Sequence, residues 1–195
     1  MEYSPRILEA MALMYALHAR QQRKGGGIPY ITHLLAVASL VGEHGGDEDQ
    51  FIAALLHDAV EDQGGLETLG QIQDQFGLRV AGYVQACTDT HVQPKPPWRE
   101  RKEAHLADMA QAPPEVKLIL ASDKLHNART ILANLATDGE AFWDRFNGGK
   151  AGSLWYYTAS LQALGTDWQH PLLHELAQTV RRIQHLAEPE SATPA

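Results

Sequence analysis

The sequence contains a single cysteine and fewer basic than acidic residues. Cys87 stands alone among 195 residues, so no internal disulfide can form and the disulfide-stapled secreted scaffolds are excluded. A lone thiol fits a reducing compartment, which predicts a cytoplasmic protein. Lysine and arginine number 16 against 24 aspartates and glutamates, a formal net charge of −8. That sign does not suit a chain that neutralises nucleic-acid phosphates, so we expect no nucleic-acid partner.

Long apolar runs are also missing. No stretch approaches the length needed to cross a bilayer, and the first residues lack the basic and apolar segments of an export signal, so we expect no membrane partner. Hydrophobic residues make up 44% of the chain, which excludes the disordered and fibrous classes. The length predicts one compact domain, which we place at residues 1–187, with a disordered tail over residues 188–195.

The hydrophobic spacing is helical almost throughout. Apolar residues recur at intervals of three and four, and no segment shows the sustained alternation of a strand. Glycine pairs and prolines separate the helical segments. The pattern predicts an all-α bundle of about eight to ten helices, near residues 7–18, 30–43, 47–62, 66–76, 78–87, 98–110, 114–135, 139–146, 151–163 and 171–187.

One predicted helix carries a dense acidic cluster. His57, Asp58, Glu61 and Asp62 recur at i, i+1, i+4 and i+5, beside an apolar stripe on the same helix. Three carboxylates within about a turn and a half repel one another unless a cation neutralises them. A bound metal ion would remove that repulsion.

Two further polar residues stand in apolar surroundings. His33 has apolar neighbours on the helix that begins at Pro29, and such a histidine taken alone is more often a core residue than a ligand. Asp123 comes after a run of apolar and small residues, where a carboxylate is costly unless it is paired or bound to metal. Two imidazoles and two carboxylates suit a divalent first-row ion. Manganese or iron(II) fits better than structural zinc, whose closed sites usually contain cysteine.

The order of these residues resembles a known superfamily. His33, then the adjacent pair His57 and Asp58, then Asp123, on three helices, resemble the HD superfamily of metal-dependent phosphohydrolases. Segments 23–33, 57–62 and 122–127 look like motifs of the hydrolase domain of the RelA/SpoT alarmone enzymes, and the free-standing small alarmone hydrolases are the most similar kind. The residues after about position 160 are too few for the synthetase domain of the bifunctional enzymes, which implies hydrolysis without synthesis.

The resemblance implies an HD-domain helical bundle around a single metal site and an activity. The activity is Mn²⁺-dependent 3′-pyrophosphohydrolysis of the alarmones (p)ppGpp or (p)ppApp, which releases pyrophosphate and the 5′-phosphorylated nucleoside. The implied metal ligands are His33, His57, Asp58 and Asp123. The residues implied to orient and activate the attacking water are Glu61 and Asp62. The implied nucleotide contacts are Arg23, Lys24, Tyr30, Lys95, Asn127, Thr130 and Tyr156.

Other interpretations remain open. The same site could act on NADPH or another nucleotide, or the fold could serve a nucleotide-sensing module without turnover. Guanine and adenine are both open, as is the oligomeric state. The basic residues Arg99, Arg101 and Lys102 interleave with glutamates, so we interpret them as i,i+4 pairs on an exposed helix. We expect His126 to pack and not to bind metal.

Overall fold

A computed structural model of the protein describes residues 3–24, 27–92 and 94–188. Glycines 25 and 26 and the predicted tail from residue 189 onward lie outside the described residues. The all-α prediction is confirmed, and no described helix has the length and apolar character of a membrane span. The elements are α1 (Arg6–His18), α2 (Ile31–Glu43), α3 (Glu48–Leu56), α4 (Ala59–Asp62), α5 (Gly65–Phe76), α6 (Leu78–Cys87), α7 (Trp98–Gln111), α8 (Pro114–Asp138), a 3-10 helix (Gly139–Arg145), α9 (Gly149–Leu164) and α10 (Pro171–Ala187).

The 25-residue helix α8 lies at the centre of the fold. It begins with Pro114, whose missing N–H would have no partner in the first turn of a helix. It packs against α2, α6, α9 and α10, and one hydrophobic core extends from Ile7 to Ala187. Because α8 is buried along much of its length, polar side chains on its inner face are held in fixed positions.

The helix predicted over residues 47–62 is interrupted. Asp47 caps its start, but α3 ends before His57 and Asp58, and α4 begins after them. The imidazole Nδ1 of His57 lies 2.8 Å from the carbonyl oxygen of Ala54. In a continuous α-helix that carbonyl would accept the Asp58 N–H. The prediction of one helix is therefore wrong at this dipeptide, where the carbonyl of Ala54 contacts the His57 side chain and the regular helix is interrupted.

A second difference concerns residues 139–146, which we predicted as an α-helix. They form a 3-10 helix that begins at Gly139, where φ is +60°. After it, the chain passes close to the indole of Trp98: a Cβ atom on Gly148 would lie 2.6 Å from that ring, and one on Gly152 would lie 3.1 Å from it. Glycine at these two positions lets α9 approach α7 closely.

The buried position of α8 leads to a stability prediction. Leu125 is fully buried, so Leu125→Ala should lower the free energy of unfolding by about 2–5 kcal/mol, because a cavity remains in the core. Leu78→Ala is the matched control. Leu78 is 76% exposed, and its loss should change the free energy by about 0.5 kcal/mol or less. Urea unfolding measures both, and equal midpoints for the two variants would contradict the central role of α8.

Candidate active site

The four predicted metal ligands converge from three parts of the fold: α2, the turn between α3 and α4, and α8. The Nε2 of His33 lies 3.6 Å from Asp58 Oδ2 and 3.2 Å from Asp123 Oδ1. The Nε2 of His57 lies 3.1 Å and 3.8 Å from the same two oxygens. Ligand atoms of His33, His57 and Asp58 all lie within 4.8 Å of one another, and Asp123 extends the cluster through its contacts with both imidazoles.

The state of the two imidazoles tests whether a metal fits here. Both Nε2 atoms are buried, and neither makes a hydrogen bond within the described part of the chain. Both Nδ1 atoms are engaged: that of His57 with the carbonyl oxygen of Ala54 at 2.8 Å, and that of His33 with Nδ1 of His126 at 2.7 Å. Metal-binding histidines characteristically use their second nitrogen in this way. The unpartnered nitrogens face the two carboxylates, so the residues fit a divalent cation.

Opposite charges shift the pKa values in this cluster. Burial alone would raise the pKa of Asp58, but His57 holds it well below its usual range. Burial is likewise outweighed at Asp123, where Lys124 lowers the pKa of the carboxyl. Burial would lower the pKa of His57, yet the two carboxylates raise it well above its usual value. The carboxyls of Asp58 and Asp123 are therefore ionised at neutral pH, as cation binding requires.

From the sequence we expected His126 only to pack, but its ring also contacts His33, a predicted metal ligand. Its ring lies 4.8 Å from that of His33, centroid to centroid. Burial and the neighbouring His33 lower the pKa of His126 to about 4, so its neutral ring can accept the His33 Nδ1–H. The spacing contained a signal, since residue 126 is three positions after Asp123 and shares its helix face.

A cavity of about 330 Å³ adjoins the cluster. Glu61 and both ligand carboxylates line it, and so do six of the seven predicted nucleotide contacts: Arg23, Lys24, Tyr30, Asn127, Thr130 and Tyr156. The seventh, Lys95, contacts Glu61, with Nζ 2.9 Å from Oε1. Asp62 is exposed and accepts a hydrogen bond from Gln21 Nε2 at 2.7 Å. The structure thus brings the predicted site residues to one region, with Asp62 outside the cavity wall.

Several predicted nucleotide contacts also touch the ligand carboxylates. The hydroxyl of Tyr30 donates to Asp58 Oδ2 at 2.6 Å. The amide of Asn127 donates to Asp123 Oδ1 at 2.5 Å and accepts from Arg23 Nη2 at 2.8 Å. A continuous chain of hydrogen bonds therefore runs from the basic loop to the metal cluster.

The expectation for the basic residues of α7 is correct for Arg99 and wrong for its neighbours. Arg99 pairs with Glu103 at 2.6 Å on the exposed side of the helix. Arg101 and Lys102 instead line the cavity and contact Asp89, whose side chain is only 4% exposed. Asp89 lies in the loop after α6. Local spacing along α7 contains no information about this partner.

The comparison with known proteins assigns the family. Residues 10–146 match the family model described as HD domain, and this span contains all four predicted ligands. The chain belongs to the HD-domain family. Human MESH1, a guanosine-3′,5′-bis(diphosphate) 3′-pyrophosphohydrolase, is 36% identical over 128 residues, which cover 64% of this HD-domain chain and 69% of MESH1. A probable GTP pyrophosphokinase of Mycobacterium leprae is 41% identical over 116 residues, 58% of this chain and 14% of that protein.

Solved structures agree with this assignment. The structure of a metazoan ortholog of SpoT that hydrolyses ppGpp matches with a TM-score of 0.75 at 25% identity, over 93% of this HD-domain chain and 97% of that one. The predicted likeness to the RelA/SpoT-type hydrolases is confirmed. The predicted class, a metal-dependent phosphohydrolase, is confirmed at the level of the family.

The convergence of ligands in this HD domain predicts the effect of removing one. Asp123→Asn keeps the shape of the side chain but removes its charge, so divalent metal affinity should fall at least about tenfold while the helical fold is retained. Asp74→Asn, on the exposed surface of α5, should change neither. Metal content by mass spectrometry and helicity by circular dichroism measure the two effects. Full metal occupancy in Asp123→Asn would remove this residue from the ligand set.

The contact between His126 and His33 makes a separate prediction. His126→Phe keeps a ring in place but removes the hydrogen-bond acceptor, so His33 loses the partner that orients it. Manganese affinity should fall about 10–100-fold, the usual effect of losing such a partner. Electron paramagnetic resonance of a Mn²⁺ titration measures it, with His174→Phe as the exposed control on α10. Unchanged affinity would show that His126 only packs.

Proposed function

We propose that this HD-domain chain is a Mn²⁺-dependent 3′-pyrophosphohydrolase of the nucleotide alarmones (p)ppGpp or (p)ppApp. One observation carries the proposal: a cluster suited to a divalent cation opens into a cavity lined by six lysines and arginines, in a chain whose net charge is −8. A local excess of cations in an acidic protein favours a ligand with several phosphates. The names of human MESH1 and of the metazoan SpoT ortholog support the same substrate.

The cavity suits a nucleotide in size and in lining. Its volume of about 330 Å³ falls within the range of about 300–1,000 Å³ common for small-molecule sites. The Arg23 guanidinium lies 5.9 Å from the ring of Tyr30, and such a flat cation can stack on a purine. Lys24 is exposed next to it and offers a compact charge to a phosphate. Thr130 lies 3.5 Å from Arg23, and the buried ring of Tyr156 forms part of the wall.

Glu61 and Asp62 are the groups proposed to handle the attacking water. A divalent ion, when bound, makes water more acidic and neutralises phosphate charge. The carboxylate of Glu61 faces the cavity and is held by Lys95 at 2.9 Å and by Arg101 at 3.6 Å. Water that attacks the phosphorus next to the 3′-oxygen gives its proton to one of these carboxylates. The bond from phosphorus to the 3′-oxygen breaks, the 3′-oxygen takes up a proton, and pyrophosphate and the nucleoside 5′-di- or triphosphate are released.

The same proposal includes three further points. The ion is manganese, residues 1–187 form a single domain, and the protein is cytoplasmic. Two imidazoles and two carboxylates suit manganese or iron(II) better than a structural zinc ion. The hydrophobic core is continuous from Ile7 to Ala187, and the lone Cys87 fits a reducing compartment. Reconstitution of metal-free protein with Mn²⁺, Fe²⁺, Mg²⁺ and Zn²⁺ in separate assays would test the choice of ion.

Two other functions would use the same features. NADPH would bring a ribose phosphate to the cluster, and a nucleotide sensor would bind an alarmone without turnover. The deciding experiment incubates the purified protein and Mn²⁺ with ppGpp, pppGpp, ppApp, pppApp and NADPH, and resolves the products by chromatography. Release of pyrophosphate from an alarmone supports the proposal. Turnover of NADPH alone, or tight alarmone binding with no product, would replace it with one of the alternatives.

The position of Glu61 makes a prediction about turnover. Glu61→Gln should retain metal and substrate, because Glu61 is not in the ligand cluster. Its turnover number should fall on the order of a hundredfold, the scale of a proton-handling group. Glu67→Gln, on the exposed surface of α5, is the control and should keep normal kinetics. Steady-state kinetics with ppGpp, together with metal analysis, measures the effect. Near-normal turnover in Glu61→Gln would contradict the assigned role.

A further inference from the structure

Three cations form a connected arc on the wall of the cavity. Lys124 lies at one end, where its Nζ is 2.7 Å from Asp123 Oδ2. The Nζ atoms of Lys124 and Lys102 lie 5.5 Å and 4.9 Å from the centre of the Tyr156 ring. Lys102 and Arg101 then share one oxygen of Asp89. We call Lys124, Lys102 and Arg101 the cationic arc.

The far end of the cationic arc reaches the residue proposed to handle the water. Arg101 Nη1 lies 3.6 Å from Glu61 Oε1. The arc therefore extends from a metal ligand, Asp123, to Glu61. A group bound along it would contact the ion at one end and lie beside the attacking water.

The cationic arc is largely shielded from solvent, and its positive charge exceeds the negative charge of the neighbouring carboxylates. The side chains of Arg101, Lys102 and Lys124 are 11%, 18% and 11% exposed, and buried cations are costly unless anions compensate them. Asp58 and Asp123 cancel the charge of a divalent ion. Among the described residues of the arc and those that pair with it or with Glu61, two carboxylates then face four cations, namely Glu61 and Asp89 against Lys95, Arg101, Lys102 and Lys124.

We propose that the cationic arc binds the second phosphate of the 3′-diphosphate and holds the pyrophosphate product. This inference rests on the proposed function. A single phosphate at the metal cluster would contact only the Lys124 end of the arc. A diphosphate extends to Lys102 and Arg101 and supplies the negative charge that the wall lacks. The arc thus selects pyrophosphate over orthophosphate.

Asp89 has a positioning role in this arrangement. Its single shared oxygen holds Lys102 and Arg101 side by side, and its other oxygen, Oδ1, is buried without a hydrogen-bond partner in the described part of the chain. A carboxylate that compensates two cations only in part leaves them able to bind a further anion. Full neutralisation of both would have made the wall inert toward phosphate.

The experiment measures binding of inorganic pyrophosphate and orthophosphate to the metal-loaded protein by calorimetry, with metal content checked afterwards. Lys102→Met keeps an unbranched side chain but removes the charge that lies 4.9 Å from the centre of the Tyr156 ring. Its pyrophosphate affinity should fall about tenfold or more, the effect of losing one charged hydrogen bond. Its orthophosphate affinity should change less than about threefold. Arg99→Gln, on the exposed side of the same helix, should leave both affinities unchanged.

A second variant separates binding from folding. Lys102→Arg keeps the charge and should retain the preference for pyrophosphate, so a loss in Lys102→Met with retention in Lys102→Arg assigns the effect to charge. The proposal is overturned if the wild type does not prefer pyrophosphate, if Lys102→Met lowers both affinities equally, or if Arg99→Gln has the same effect. If the wild type hydrolyses no alarmone but Lys102→Met still loses pyrophosphate affinity selectively, the proposed function is wrong. The assignment of the cationic arc as a pyrophosphate site then still stands.

Discussion

The structure depends on the burial of two imidazoles and two carboxylates around a single point. Groups of this kind cost several kcal/mol when they are removed from water without compensation. Here α2, the turn between α3 and α4, and α8 meet so that His33, His57, Asp58 and Asp123 compensate one another and face inward. The hydrophobic core holds these three elements together, and a divalent cation bound by the four residues would complete the balance of charge.

The helices were predictable because their signal is local. Apolar spacing and breaker residues specify each segment within its own sequence, and the predicted segments 78–87 and 171–187 coincide with α6 and α10. The interruption at His57 was not predictable in this way. The apolar spacing continues through this dipeptide, and it contains no signal for the contact between the His57 imidazole and the carbonyl of Ala54.

Within the site, too, some residues could be identified from their local sequence and others could not. His33 and Asp123 could be singled out because an unpaired polar group among apolar neighbours is costly, and that context can be seen in the sequence. The contact between His33 and His126 joins residues 93 positions apart, and Asp89 reaches Arg101 from another element. Such partners depend on how the helices pack. The spacing along α7 therefore could not distinguish Arg101 and Lys102 from surface pairs such as Arg99 and Glu103.

The spacing of polar residues along α8 makes the site sensitive to insertions and deletions in this helix. One face of this continuous helix carries Asp123, Asn127 and Thr130. Asp123 belongs to the ligand cluster, and the side chains of Asn127 and Thr130 contact Arg23. Each residue of an α-helix adds a rotation of about 100° and a rise of about 1.5 Å. A single insertion or deletion between Asp123 and Thr130 would turn one end of the site away from the other.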